Sequence, residues 1–262
     1  VLRRRELGLA AGAFLFGAYA PAAAATPPLA ATPIARLDLA WWRKRHAAKL
    51  TELRRGHVEL LFLGDSITQN WESAGPPAWR AFCPAWKQFY GDRHAVNLGF
   101  TGDTTAHLLW RLRNGELDDI APKAAVILIG ANNLGRVHWP AADTVLGVVA
   151  VVAEVSRRLP PTRILLLGIL PSDRGEWVTR TTGEVNRALA ARYAGGAEAG
   201  VRFLDVGAVF MRDGRLDRSL FYDPLSAPPG PALHPTPDGQ RLLSAAIEPT
   251  LARLLGDRRH PF

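Results

Sequence analysis

Ser66 has a setting that suits chemistry, within the run VELLFLGDSITQNW at residues 58 to 71. Residues 58 to 63 are nearly all apolar, as a strand buried on both faces would be. Gly64 permits a tight turn, and Thr68-Gln69-Asn70 mark the place where the chain must change direction. A serine in such a turn is a nucleophile if a base can remove its proton. An Asp-Ser pair at that point could equally cap the next helix.

The other parts of an acyl-transfer site lie further along. Seven histidines are present. His46, His57, His94 and His260 sit in charged or terminal contexts and read as surface, His107 as a helix-interface residue, and His138 as a residue near the Asn132 loop. His234, in ALHPTPDGQRLL, stands just before a helix start where Thr236 can cap, Pro237 can take the first position and Asp238 suits the dipole. A tetrahedral intermediate needs preorganised donors for its oxyanion. The N–H groups of Ser66 and Gly102 and the side-chain amide of Asn132 could supply them. Gly102 could also be only a turn residue, and Asn132 only a cap.

The elements that must position these residues follow from the alternation of patterns. Strand-like runs at 58–64, 95–100, 124–130, 163–170 and 201–206 alternate with helical patterns at 104–114, 141–159 and 176–193. A helix at about 37–55 precedes the first strand, and another from 237 to 255 closes the chain, with Pro249 expected to kink or split it. Strand–helix alternation predicts an α/β fold, a parallel sheet covered by helices on both faces. Ligands bind such sheets at the carboxyl ends of the strands. Ser66, the GFTGDT loop at 99–104 and the GANN loop at 130–133 all fall at that edge. Trp41, Trp42, Trp79, Trp86 and Trp110 read as helix packing.

Composition sets outer bounds. The chain has 262 residues, 48% hydrophobic and 21% charged, enough for one sizeable domain. The single cysteine, Cys83, excludes an internal disulfide framework and a Cys-rich zinc site. A net charge of +8 without a Lys/Arg block reads as solvated surface and gives no reason to expect a nucleic-acid partner. RRREL, then GLAAGAFLFGAYA, then PAAAATPP have the layout of a secretory signal, and Arg4-Arg5-Glu6-Leu7 resembles a twin-arginine signal. The expected organisation is a signal peptide over 1–25, a linker over 26–36 and a catalytic domain over 37–262. An uncleaved N-terminal membrane anchor is the alternative.

FLGDSIT, NLGFTGDTT, IGANN and LHPT resemble, in order, the four motif blocks of the SGNH (GDSL) hydrolase superfamily. GDTTAHLLWRLRNGELDDIAPKAAVILIGANN and ILLLGILP resemble in particular the alpha catalytic subunits of the platelet-activating factor acetylhydrolases. The likeness spans about residues 55 to 255. It implies a flavodoxin-like three-layer α/β/α fold on a five-stranded parallel sheet, and ester hydrolysis without metal or cofactor. Ser66 would be the nucleophile, Gly102 and Asn132 oxyanion donors with the Ser66 N–H, and His234 the base.

One block departs from the resemblance. The family places its acid three residues before the histidine, a position held here by Pro231. The nearest upstream acid is Asp223, eleven residues before His234 in YDPLSAPPGPALHP. Three readings stay open: the proline-rich insertion loops out and leaves Asp223 beside His234, a backbone carbonyl orients the imidazole, or the site is impaired. The expectation is an exported serine esterase, periplasmic or secreted, acting on short acyl (acetyl) esters of a small molecule, glycan or lipid. A non-catalytic glycan- or lipid-binding protein on the same scaffold is the alternative. The sequence lacks G-x-S-x-G, H-E-x-x-H, a P-loop and G-x-G-x-x-G, so it offers nothing for an α/β-hydrolase, metalloprotease, NTPase or dinucleotide enzyme.

Overall fold

A computed structural model of the chain describes residues 26–75, 81–196, 198 and 200–261. The expected signal segment and Trp79 lie outside them. Five parallel strands, β1 (Leu60–Gly64), β2 (Ala95–Gly99), β3 (Ala124–Leu128), β4 (Arg163–Leu167) and β5 (Val201–Leu204), form one sheet in the order β2-β1-β3-β4-β5. β1 and β3 are buried along their whole length, which is why they read as unbroken apolar runs. From β1 the chain steps outward to β2, then returns to the other side for β3. The crevice between the ends of β1 and β3 is therefore the topological switch point, where such sheets bind ligands.

The helices are α1 (Ala40–Arg55), α2 (Ser66–Gln69), α3 (Cys83–Tyr90), α4 (Thr105–Arg111), α5 (Ala131–Gly135), α6 (Ala141–Arg158), α7 (Glu176–Arg192) and α8 (Pro237–Leu255). α4, α6 and α7 pack side by side, while α3 and α8 pack together against the sheet's other face. This is the three-layer α/β/α arrangement expected from the sequence, with strand ends one to three residues shorter. A small antiparallel hairpin, β6 (Met211–Arg212) with β7 (Arg215–Leu216), turns at Asp213-Gly214, both at positive φ.

Two expectations about helices need correction. Of the kink or split expected at Pro249, the split does not occur: α8 runs as a single helix through it. Leu243, Ile247 and Leu251, buried on one stripe, hold it to the core on both sides of the proline. α3 was not expected, although Phe82, Trp86, Phe89 and Tyr90 have helical spacing. They build an aromatic cluster in which Tyr90 lies 4.6 Å from Phe62 and Trp86 5.1 Å from Phe62.

The stretch 26–36, expected as a tether, lies against the fold. Thr105 Oγ1 donates to Ala30 O (2.7 Å), Ile34 N–H to Ala106 O (3.1 Å), and Ala30 is buried. Gly147 makes this possible: a methyl group there would stand 2.5 Å from Ala30 O.

His46 is not a surface residue. It is 8% exposed, stacked on Trp42 at 5.6 Å and beside Trp110, and its Nε2 has no partner among the described residues. Burial, helped by the charge of Arg111, pushes its imidazole down to about 4. Burial likewise brings His107 to about 4. In the unfolded chain histidine titrates near 6.5. Between these values the unfolded state binds more protons, so stability falls as pH drops from about 6.5 to 4, by up to roughly 3 kcal/mol per residue. His46→Phe keeps the stacking and removes one of the two groups. Urea midpoints at pH 7 and pH 4.5 are expected to show a smaller acid sensitivity than the parent's; an unchanged pH dependence would contradict this account.

Candidate active site

β1 ends at Gly64, and Asp65 caps α2 by accepting the N–H of Ile67 on Oδ1 (2.9 Å). Ser66 is thereby the first residue of a helix, where N–H groups have no intrahelical acceptor. α2 lies close on the end of β2 because residue 99 is glycine: a methyl group there would stand 2.2 Å from Gln69 N. Asn97 Nδ2 ties the same turn down by donating to Thr68 O (2.8 Å).

Ser66 Oγ stands 2.9 Å from His234 Nε2. His234 Nδ1 is 2.6 Å from Asp223 Oδ1, and Asp223 Oδ2 accepts the N–H groups of Leu233 (2.9 Å) and His234 (2.6 Å). With the proton on Nδ1, facing the carboxylate, Nε2 is left as the acceptor that faces the serine hydroxyl. Burial works against the Asp223 carboxylate, but the hydrogen bond and charge of His234 and the two backbone N–H groups outweigh it and hold the carboxyl below its ordinary value.

The backbone explains how an acid eleven residues away comes to this place. Tyr222 N–H donates to His234 O (2.9 Å) and Thr236 N–H to Leu220 O (2.8 Å), so residues 220–222 run antiparallel beside 234–236. The insertion leaves this ladder at Asp223 and is closed off by Gly230 N–H donating to Asp223 O (2.9 Å). Pro231 follows that closure directly, and the carboxylate stays at the base of the loop. Of the three readings left open by the sequence, the geometry matches the first.

Gly102 is at φ +75°, in the left-handed region that favours glycine. Among the described residues no protein acceptor takes the N–H of Ser66 or of Gly102. Asn132, at the start of α5, directs Nδ2 at Asp103 O (3.0 Å) and, at greater length, at Asp65 Oδ2 (3.3 Å). Both of its N–H groups are thus engaged, and an oxyanion would share the weaker one with Asp65. Burial pushes the Asp65 carboxyl up to about 6, against the opposing effects of Ile67 N–H and the charge of His234.

A buried ionic knot lies beneath this arrangement. Arg111 Nε donates to Asp103 Oδ2 (2.9 Å), Nη1 to Glu116 Oε2 and Nη2 to Gly64 O (3.2 Å), with its guanidinium 3.9 Å from the centre of the Phe100 ring. Asp103 Oδ1 accepts from Trp42 Nε1 and Arg36 Nη1, each at 2.9 Å. The knot fixes the Gly102 loop relative to the end of β1. Arg111→Met leaves Glu116 buried without its cation, and losing one partner of a buried pair costs about 3–5 kcal/mol. Equilibrium urea unfolding is expected to show that loss; a change within about 1 kcal/mol would mean the knot is dispensable.

Residues 62–242 match the GDSL-like Lipase/Acylhydrolase family. The chain belongs to the GDSL/SGNH hydrolases. This hydrolase is 32% identical over 218 residues to the platelet-activating factor acetylhydrolase IB subunit alpha1 of Homo sapiens, covering 82% of this chain and 84% of that one. It is 32% identical over 187 residues to the alpha2 subunit of Rattus norvegicus, covering 70% and 74%. Its fold is similar to that of a GDSL-like lipase from Bacteroides thetaiotaomicron (TM-score 0.62, 16% identity, 80% of this chain and 97% of that one). It is also similar to that of a carbohydrate acetylesterase family member from Sinorhizobium meliloti (TM-score 0.54, 18% identity, 76% and 99%). The hydrolase is a serine-dependent enzyme of ester chemistry.

Three residues of the site escaped the sequence reading. The ring of Tyr222 stacks on the His234 imidazole, centroids 5.2 Å apart and planes within 9°, and its hydroxyl accepts from Asn70 Nδ2 (3.0 Å). Arg174, from the loop after β4, donates Nη2 to Ala131 O (3.0 Å) and feels the charges of Asp65 and Asp223. Tyr222 adjoins Asp223 in YDP, which was legible only as a turn; nothing local marks Asn70 or Arg174.

Proposed function

We propose that the hydrolase cleaves short-chain, chiefly acetyl, esters through a Ser66 acyl-enzyme, with His234 as base and Asp223 as its orienting acid. The observation that carries this reading is the continuous hydrogen-bonded line from Ser66 Oγ through the imidazole to Asp223. His234 Nε2 takes the Ser66 proton as Oγ bonds to the ester carbonyl carbon, and the carbonyl π pair moves onto oxygen. The N–H groups of Ser66 and Gly102, joined by Asn132 Nδ2, receive that oxyanion. The oxyanion collapses, the C–O bond to the alcohol breaks, and His234 gives its proton to the departing oxygen. Water, deprotonated by the same nitrogen, then attacks the acyl carbon; the bond from that carbon to Ser66 Oγ breaks, His234 returns the proton to Oγ, and the carboxylic acid is released.

The acetyl assignment draws support from the alpha1 and alpha2 relatives, whose names describe acetylhydrolases. The test is a series of p-nitrophenyl esters. kcat/KM is expected to be highest for acetate and to fall through butyrate to octanoate; a maximum at octanoate would contradict the short-acyl assignment. The binding-protein alternative drew its force from Pro231, and the distance of 2.6 Å between Asp223 and His234 supports the catalytic reading in its place. The layout of residues 1–25 supports export, which N-terminal sequencing of protein recovered outside the cytoplasm would test by a cleaved end near residues 20–25.

A further inference from the structure

The mouth of this site is lined by guanidinium groups, and the carboxylates around it are already engaged. Arg136 follows α5 directly and reaches back over the Gly102 loop: a methyl group on Gly102 would stand 2.5 Å from Arg136 Nη1. Arg174 crosses the other side of α5, where a methyl group on Gly135 would stand 1.8 Å from its Nη1, and it is held there by Ala131 O and by Ser172 Oγ (3.3 Å). The two arginines thus flank the turn that carries Asn132. Arg136 is exposed and Arg174 half-buried.

Neither has a carboxylate within ion-pair distance among the described residues. Asp103 is shared between Arg36 and Arg111, Asp173 pairs with Arg218, and Asp223 pairs with His234. Asp65 is buried beneath the nucleophile turn and holds Ile67 and Asn132. A half-buried guanidinium fixed by a carbonyl and a hydroxyl, with free N–H groups and the nearby Asp65 and Asp223 carboxylates engaged elsewhere, is a preorganised site for a planar or tetrahedral oxyanion.

We propose that Arg136 and Arg174 form an anion-binding rim, and that the natural ester carries a carboxylate or phosphate close to the scissile bond. This deepens the esterase reading and rests on it for the word ester, but the rim itself is tested without turnover. Calorimetric titration of the protein with glucose, glucuronate and glucose 6-phosphate at low salt separates the neutral ligand from the two anionic ones. At least one anionic ligand is expected to bind tenfold or more tightly than glucose, less so as salt is raised. Arg136→Gln and Arg174→Gln are each expected to remove most of that preference, and the lysine variants to retain part of it. The stronger anion identifies the group as carboxylate or phosphate.

Equal binding of all three ligands by the parent, or a preference unchanged in both glutamine variants, would overturn the proposal. Hydrolysis of p-nitrophenyl acetate is measured beside it. Turnover without anion preference sinks the rim alone, whereas anion preference with neither turnover nor fluorophosphonate labelling of Ser66 sinks the esterase reading and leaves the rim standing.

Discussion

Ser66→Ala is expected to lower kcat on p-nitrophenyl acetate by roughly four to six orders of magnitude, as removal of a nucleophile does where an acyl-enzyme carries the reaction. The change removes one oxygen and disturbs little else. Asp65 still caps α2 through Ile67 N–H, and the helix N-terminus keeps its N–H groups. The melting temperature should therefore stay within a few degrees of the parent. Steady-state rates and thermal unfolding of the same preparation check both halves. A folded Ser66→Ala protein with more than a tenth of the parent activity would show that the serine is not the nucleophile.

Asp223→Asn is expected to cost roughly three to four orders of magnitude in kcat, for a different reason. An asparagine can still accept the N–H groups of Leu233 and His234 through its carbonyl oxygen. Its NH2 would then face His234 Nδ1, which must become the acceptor. That tautomer carries its proton on Nε2, facing Ser66, and cannot take another from it. Stability responds with a definite sign. The carboxyl lies below its ordinary value in the fold, so its ionised form stabilises the native state above about pH 4, and this is lost as pH falls through the native value. The gap in melting temperature between parent and Asp223→Asn should narrow on going from pH 7 to pH 3.5. Near-parent activity in the asparagine variant would mean that another group orients the imidazole.

The parts of this site that lie in strand–turn–helix units were legible in the sequence, because each is fixed locally. An apolar run followed by Gly-Asp-Ser, or by Gly-Ala-Asn, places its polar residue at the carboxyl end of a strand whatever the rest of the chain does. Asp223 was not legible in this way. Its position depends on pairing between residues 220–222 and 234–236, and a long excursion between them leaves no periodic trace. His46 was misread because seven charged residues surround it on α1 between positions 43 and 55, while its own face of the helix turns toward Trp42 and Trp110. Pro249 does not split α8, because a proline's local preference yields to buried leucines and an isoleucine on the same helix.

The central claim is that Ser66 forms a covalent bond to substrate with the help of His234. A fluorophosphonate, which loses fluoride as an activated serine oxygen bonds to its phosphorus, tests this directly when the product is digested and read by mass spectrometry. The account predicts one adduct per chain, on Ser66, forming within minutes in the parent and at least a hundredfold more slowly in His234→Ala. An unmodified Ser66, or a Ser66 adduct that forms equally fast without His234, would contradict it.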